Sequence, residues 1–280
     1  LWAGADYLEI LTLASGDGRT YSAKLEYEVS PSTRIYGSFN QGFRFGVPSD
    51  QVGAVCDQDG DGIIDGTDIP TLVKQDSDTV DSYELGFKFR SSDGRVSVNA
   101  SVFTVDWIDI PVRVFIPCGF VVTVNAGKAE SHGIEIEGAW EMTGGLIVNY
   151  AASWVDPTLA ADSGSLGQAG DRLPGSPRHN LNLGIEQNLR MGQYDAFMRA
   201  DLVNVGEYYG DVQEIGEASG GYTTIGARGG ISLDDWLVEL YVHNLTDEFA
   251  FTSFQGSTRR YNALRPRTVG VQVSYRFNDQ

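Results

Sequence analysis

Residues 57–68 read DQDGDGIIDGTD, five carboxylates in twelve residues with glycines set between them. Carboxylates at loop positions 1, 3, 5, 9 and 12 with a glycine at position 6 form the pattern of a calcium loop. The ion takes about six to eight hard oxygen ligands, and the chain must turn sharply to wrap them round it. In this pattern Asp57, Asp59 and Asp61 each supply a side-chain oxygen, Ile63 a backbone carbonyl, Asp65 an oxygen directly or through water, and Asp68 the closing ligand. Gly62 occupies the sharp turn, Ile64 the apolar anchor position, and residues 69–74 (IPTLVK) are expected to form a short exit helix. Asp in place of Glu at position 12 shortens the bidentate arm, so the expected affinity is of the extracellular kind, on the order of 10⁻⁴ to 10⁻³ M. The ion would be structural Ca²⁺ ordering the loop. The alternative is a merely solvated acidic loop, in which five crowded carboxylates repel one another without a cation to offset them.

Other chemistry is sparse. His132, His179 and His243 are far apart, and no H-x-x-x-H or C-x-x-C spacing provides a zinc or haem site. No nucleophile elbow, phosphate loop or dinucleotide fingerprint occurs, so no catalytic residue is assigned and no enzyme is expected. A net charge of −18 argues against nucleic acid as a partner, because that binding needs Lys and Arg to neutralise phosphates.

The elements that must carry the acidic segment have period 2. Residues 268–277 (TVGVQVSYRF) put Val269, Val271, Val273, Tyr275 and Phe277 on one face and Thr268, Gly270, Gln272, Ser274 and Arg276 on the other. Ten residues of strict alternation match a strand that crosses a membrane at a tilt, whereas a soluble sandwich strand averages about five or six. The same pattern recurs at 20–29, 34–43, 95–102, 134–140, 146–154, 181–189, 194–203, 223–233 and 236–244, giving about eleven strands. With 280 residues, 34 Gly and 11% aromatics, the chain suits one large all-β unit. No apolar run approaches the roughly 20 residues of a membrane helix, so a membrane crossing requires a closed barrel. A mean hydropathy of −0.19 is compatible with that, since half of each barrel strand is polar.

Connection lengths alternate. Those at SPST, SSDGR, EMTGG, LRMGQ and LDDW are tight and polar, while those at 46–79, 156–177, 206–220 and 247–265 are mostly long. Tight periplasmic turns and long outer loops produce this rhythm in an antiparallel transmembrane β-barrel, and place the end of the final strand on the periplasmic side. An immunoglobulin-like sandwich has no reason to segregate loop lengths to one end. The competing reading is a soluble or surface calcium-binding adhesion or carbohydrate-binding β-protein, supported by the acidic loop. A barrel enzyme such as an esterase lacks any Ser-His-Asp set.

Five strings in order, YGSFNQGFRFG (36–46), SYELGFKF (82–89), NAGKAESHGIEIEGAW (125–140), NLTDEF (244–249) and RPRTVGVQVSYRF (265–277), resemble the barrel of TonB-dependent outer-membrane receptors. A half-hand at 57–74 likewise resembles dockerin and related bacterial calcium loops. The receptor resemblance implies a 22-stranded barrel of which residues 1–280 are the C-terminal half, about eleven or twelve strands, with an acidic extracellular loop inserted at 47–80. No segment is a counterpart of the plug and its TonB-contacting box. It further implies active uptake of a scarce small-molecule ligand, most typically a ferric siderophore, in the outer membrane of a Gram-negative bacterium. Outer-membrane lipid, the TonB complex acting through the plug, and the barrel-assembly machinery that reads the Phe277 strand are the implied partners. Phe277 is followed by Asn278, Asp279 and Gln280, a departure from the usual terminal aromatic.

Barrel topology then sorts the remaining residues. Cys56 precedes the calcium loop and Cys118 lies in the next outer connection, so both fall on the same side in an oxidising compartment; a Cys56–Cys118 disulfide is the favoured reading over two free thiols. His243 shares parity with Glu239 and Tyr241 and is expected to face the lumen. Trp107, Trp140, Trp154 and Trp236 lie near strand ends, where aromatic girdles sit, with one or two available for ordinary packing. Arg172, Arg178, Arg259, Arg260 and Arg265 flank outer loops, either solvated, paired with acids, or contacting an anionic ferric chelate. Leu1 is not Met and residues 1–15 contain no export signal, so the beginning is expected to have been processed or truncated.

Overall fold

The computed structural model describes residues 19–48, 52–72, 74–125, 127–163, 167–212, 214, 217–255 and 260–277. Residues 1–18, Arg259 and Asn278 to Gln280, to which some sequence expectations attach, lie outside them. The strands are β1 (Ser22–Ser30), β2 (Thr33–Arg44), β3 (Val47–Pro48), β4 (Lys74–Gln75), β5 (Asp78–Arg90) and β6 (Val96–Ile108). They continue with β7 (Pro111–Phe115), β8 (Val121–Asn125), β9 (Lys128–Glu141), β10 (Leu146–Leu159), β11 (His179–Met191) and β12 (Tyr194–Val205). The last are β13 (Tyr222–Leu233), β14 (Trp236–His243), β15 (Phe251–Gln255), β16 (Arg260–Ala263) and β17 (Thr268–Tyr275). Eleven of these form one antiparallel sheet in the order β1-β2-β5-β6-β9-β10-β11-β12-β13-β14-β17, each paired with its neighbour in the chain once the small hairpins β3/β4, β7/β8 and β15/β16 are set aside. Those three hairpins all lie in long connections at one end of the sheet. The tight turns occupy the other end, and β17 finishes there, with Tyr275 opposite Trp236.

The register explains the face on which each side chain lies. Ile35 pairs Phe87, Phe87 pairs Ala100, Ala100 pairs Ile136 and Ile136 pairs Ala152, so one apolar row runs continuously across five strands. The row Leu202, Ile225 and the row Leu240, Val271 do the same at the other side. Side chains across this face are left uncovered by protein: Leu25 is 78% exposed, Met198 62% and Val271 65%. A water-soluble monomer rarely exposes an apolar patch beyond a few hundred Å². An apolar surface spanning eleven strands requires hydrocarbon as its solvent, which decides against the soluble alternative. The largest cluster of buried apolar residues lies instead in the connections and strand ends on the long-loop side, at Val52, Cys56, Ile64, Ile69, Ile116 and Val122.

The strands reach 12–14 residues in β2, β5, β6, β9 and β10, longer than the alternation predicts, because their outer ends continue as polar pairs above the apolar belt. At about 3.3 Å per residue, fourteen residues exceed what a tilted crossing needs. β17 by contrast ends at Tyr275, two residues before the expected limit, although Phe277 still packs edge-on against Tyr275 at 4.7 Å. On the polar face, glycines make room for large rings of the directly opposite residue. A Cβ at Gly86 would overlap the Tyr36 ring, and one at Gly133 the Phe103 ring. In the tight turn at 91–95, the Ser91 hydroxyl and the Arg95 N–H hold the Asp93 carboxyl below its usual range.

Candidate functional site

The outer connections carry the chain's distinctive chemistry. Cys56 and Cys118 are joined by a disulfide across a sequence separation of 62, with Cα atoms 5.3 Å apart. Around it Val52, Ile64 and Ile69 from the acidic loop pack on Ile116 and Val122 of the β7–β8 hairpin, with Val114 and Val124 beside them. Ile64 and Ile116 are fully buried, each contributing roughly 1.5–3 kcal/mol of transfer free energy. The acidic loop is thus one packed body with the neighbouring hairpin.

Within it, Asp57, Asp59 and Asp61 bring carboxylate oxygens within 4.8 Å of one another. Their oxygens accept backbone N–H groups: Gly60 and Gly62 donate to the two oxygens of Asp57 at 2.8 and 3.0 Å, and Ile63 donates to Asp61 at 2.8 Å. Asp65 turns aside to accept the Gln58 N–H at 3.2 Å. Asp68, expected as the closing ligand, is not among the three clustered carboxylates. The expected exit helix does not form among the described residues of 69–74. Ile63 and Pro70 instead form an antiparallel bridge, with the Ile64 N–H donating to Ile69 O at 2.8 Å, and the turn closed by Thr67 leaves Asp68 exposed. Burial of Ile69 beside Ile64 selects this hairpin over a helix. Asp57, Asp59 and Asp61 are thus the carboxylates of this loop whose oxygens lie close together among the described residues.

Where the acidic loop joins the sheet, Asp78 is buried at 2% exposure and accepts two hydrogen bonds from Arg44, at 3.0 and 2.7 Å, and one from the Trp107 indole at 2.6 Å. Trp107 is therefore a packing and hydrogen-bonding residue. Trp140, Trp154 and Trp236 are about half exposed on the apolar face, Trp140 and Trp236 at strand ends as girdle residues are and Trp154 within β10. Arg172 donates to Ser176 O and lies 3.8 Å from Glu214, and Arg178 pairs with Asp156 at 3.1 Å. Arg260 and Arg265 are exposed.

The lumen wall between β2 and β11 holds a cavity of about 390 Å³ in which Glu84, Glu135 and Glu137 face a single Lys88. Tyr36 donates its hydroxyl to Glu84 and lies beneath Lys24 and Lys88, each 5.2 Å from the ring centre. Further round, Arg199 grips Asp201 through two nitrogens at 2.9 and 2.6 Å and reaches Glu186 at 3.4 Å. At the top of β14, Asn244 is buried in a left-handed conformation. Its amide donates to Glu248 O at 2.9 Å and Arg265 O at 3.0 Å, and its oxygen accepts the Glu248 N–H. It ties both ends of the last long loop together. Neither Asn244 nor Asp78 stood out in the sequence: one is an unremarked member of NLTDEF, and the other acquires its partners only through strand register.

Eleven antiparallel strands with an apolar outer face, a polar lumen and long loops at one end define a wall of a transmembrane β-barrel. The chain belongs to the family described as TonB dependent receptor-like, beta-barrel, which matches residues 5–245. These are outer-membrane receptors of Gram-negative bacteria and not enzymes. The pesticin receptor of Yersinia enterocolitica is 27% identical over 202 residues, 70% of this chain and 29% of its own length. Among solved structures, the ferric yersiniabactin uptake receptor FyuA from Yersinia pestis aligns with a TM-score of 0.72 at 21% identity, over 90% of this chain and 36% of the receptor. The ferric preacinetobactin receptor BauA from Acinetobacter baumannii aligns at 0.68 and 18% identity, over 91% of this chain and 36% of the receptor. The chain thus spans about a third of the length of these relatives.

Proposed function

We propose that the protein carrying this chain is an outer-membrane receptor for TonB-dependent uptake of a ferric siderophore or similar iron complex. The observation that carries the reading is the family's barrel wall with its long outer loops, together with relatives named for ferric chelates. Residues 22–275 supply wall and loops; TonB would act through a plug, and the strand ending at Phe277 would engage the assembly machinery. Deleting the gene should abolish uptake of radiolabelled iron from at least one ferric chelate under iron limitation, and disrupting TonB should give the same loss. Uptake unchanged in both strains across a broad chelate panel refutes the reading.

Calcium binding by the 57–65 segment is a second proposal, resting on the three clustered carboxylates. The ion would neutralise Asp57, Asp59 and Asp61 and stiffen the loop, with Asp65 and the Ile63 carbonyl completing its shell. Millimolar calcium should slow proteolysis within 57–65 on intact cells, and Asp59→Asn should remove that protection. Equal cleavage with calcium and with chelator overturns it.

A further inference from the structure

The outer connections on the two sides of the wall are held in different ways. The acidic loop and the β7–β8 hairpin share a disulfide and an apolar cluster. Residues 160–178, 206–221 and 244–267 contain no cysteine, and among the described residues the first two connections carry nothing beyond isolated bridges. Connections of this kind usually open easily, because few contacts oppose the gain in chain entropy. Here each is tied to the next. The first folds back on the end of β10, with the Leu159 N–H donating to Asp171 O and the Gly170 N–H to Leu159 O, both at 2.8 Å. Val212 of the second is 6% exposed, and with Leu159 it closes over the bare Gly167 of the first, where a Cβ would lie 2.7 Å from Val212 and 2.9 Å from Leu159. The Gly175 N–H donates to Tyr209 O at 2.8 Å and Arg172 lies 3.8 Å from Glu214, joining the same two connections again.

The second connection is joined to the third through a knot around Tyr208. Tyr208 and Ser219 form an antiparallel bridge, each N–H donating to the other's carbonyl at 2.8 Å, and Ser219 is buried. From this bridge the Tyr208 hydroxyl donates to Thr252 O, and the Gly220 N–H donates to Phe251 O at 2.9 Å. Gly220 has φ +76°, and a Cβ there would overlap the Gly206 carbonyl, so only glycine fits the step that brings the two connections together. Within the third, Phe251 stacks on Tyr261 at 5.0 Å across the β15–β16 hairpin, and the Leu264 N–H donates to Ala250 O at 2.9 Å. Val212 and Leu159 are buried by two connections at once, and the Thr252 and Phe251 carbonyls are satisfied by a neighbouring connection. Opening either member of such a pair forfeits the contact for both, which is the condition for cooperative opening.

We infer that these three connections form one cooperative unit, a crest at the outer end of the wall in which no connection opens without the other two. A molecule that restrains one of them therefore restrains all three, so the inference stands apart from the identity of the ligand. The test is amide hydrogen exchange of the full-length protein, purified in detergent. The reporters are Gly170 and Leu173 in the first connection, Gly220 in the second and Leu264 in the third, whose N–H groups donate to the carbonyls of Leu159, Pro157, Phe251 and Ala250. In the parental protein their exchange should follow one common dependence on low urea, and should be faster than that of the amides in β12 and β13. Val212→Ala trims the contact with the first connection, yet should speed exchange at Leu264 by the same factor as at Gly170, about tenfold, as trimming a buried aliphatic side chain does. Tyr208→Phe removes the hydroxyl's bond to the third connection, yet should speed Gly170 and Leu173 as much as Leu264, again about tenfold. Ile64→Ala loosens the acidic loop and should leave all four reporters unchanged. Acceleration confined to the substituted connection and the one it touches overturns the unit. Acceleration of all four by Ile64→Ala overturns it by making the whole outer surface one body, and equal acceleration throughout β12 and β13 does so by making the opening that of the wall. The urea series on the parental protein decides even where a variant fails to assemble, since a separate dependence for each connection is incompatible with one unit.

Discussion

Removing the Cys56–Cys118 bridge should loosen the outer acidic loop without harming the barrel. The bridge closes a sequence separation of 62 residues. With β5 and β6 fixed in the sheet, the locally open state frees only 57–77 and 109–117, about thirty residues. Chain-entropy closure varies as 1.5R ln n, so either count gives about 4 kcal/mol, roughly a thousandfold change in the population of the open loop. Cys56→Ser with Cys118→Ser should therefore raise the rate of protease cleavage at 57–77 on intact cells by about that factor, provided opening and closing outpace cleavage. Heat-modifiable migration of the barrel on gels should be unchanged. Ile64→Ala in the intact disulfide form should raise cleavage by a comparable factor, since vacating a fully buried aliphatic site costs about 2–5 kcal/mol. Cleavage of the double serine variant at the parental rate would refute the entropic reasoning and assign the loop's order to its apolar cluster alone.

Three further outcomes are expected. Gly133→Ala places a methyl in the Phe103 ring and should destabilise the barrel by about 1–3 kcal/mol in urea unfolding; combining it with Phe103→Ala should recover part of the loss, and strict additivity would contradict the contact. Val271→Arg, on the lipid face of β17, should cost about 2–4 kcal/mol and impair assembly, whereas Gln272→Arg, facing the lumen, should be near neutral; equal effects would invalidate the assignment of faces. Asn244→Ala leaves the backbone groups of Glu248 and Arg265 without their buried partner, so the 244–267 loop should lose about 1–3 kcal/mol, seen as faster amide exchange there and unchanged exchange in β5.

The sequence by itself determined the strands, their faces and the rhythm of the connections. Alternation is a local property, set by the pleat, so Val269, Val271 and Val273 declare one face whatever else the chain does. Tight turns such as SSDGR likewise close through neighbours in sequence, here Ser91, Asp93 and Arg95. Tertiary structure decided what happens where distant segments meet. Burial of Ile69 against Ile64 and Ile116 turned the expected exit helix into a hairpin and left Asp68 outside the acidic cluster. Register placed Asp78 between Arg44 and Trp107, removing that tryptophan from the girdle. The cavity of about 260 Å³ at the outer ends of β12, β13 and β14 exists only because those strands lie beside Leu264 and Arg265 of a loop that Asn244 ties back to the sheet. Charge compensation and side-chain burial depend on which strands are neighbours, and no local pattern encodes that for residues as far apart as Asp201 and Arg265.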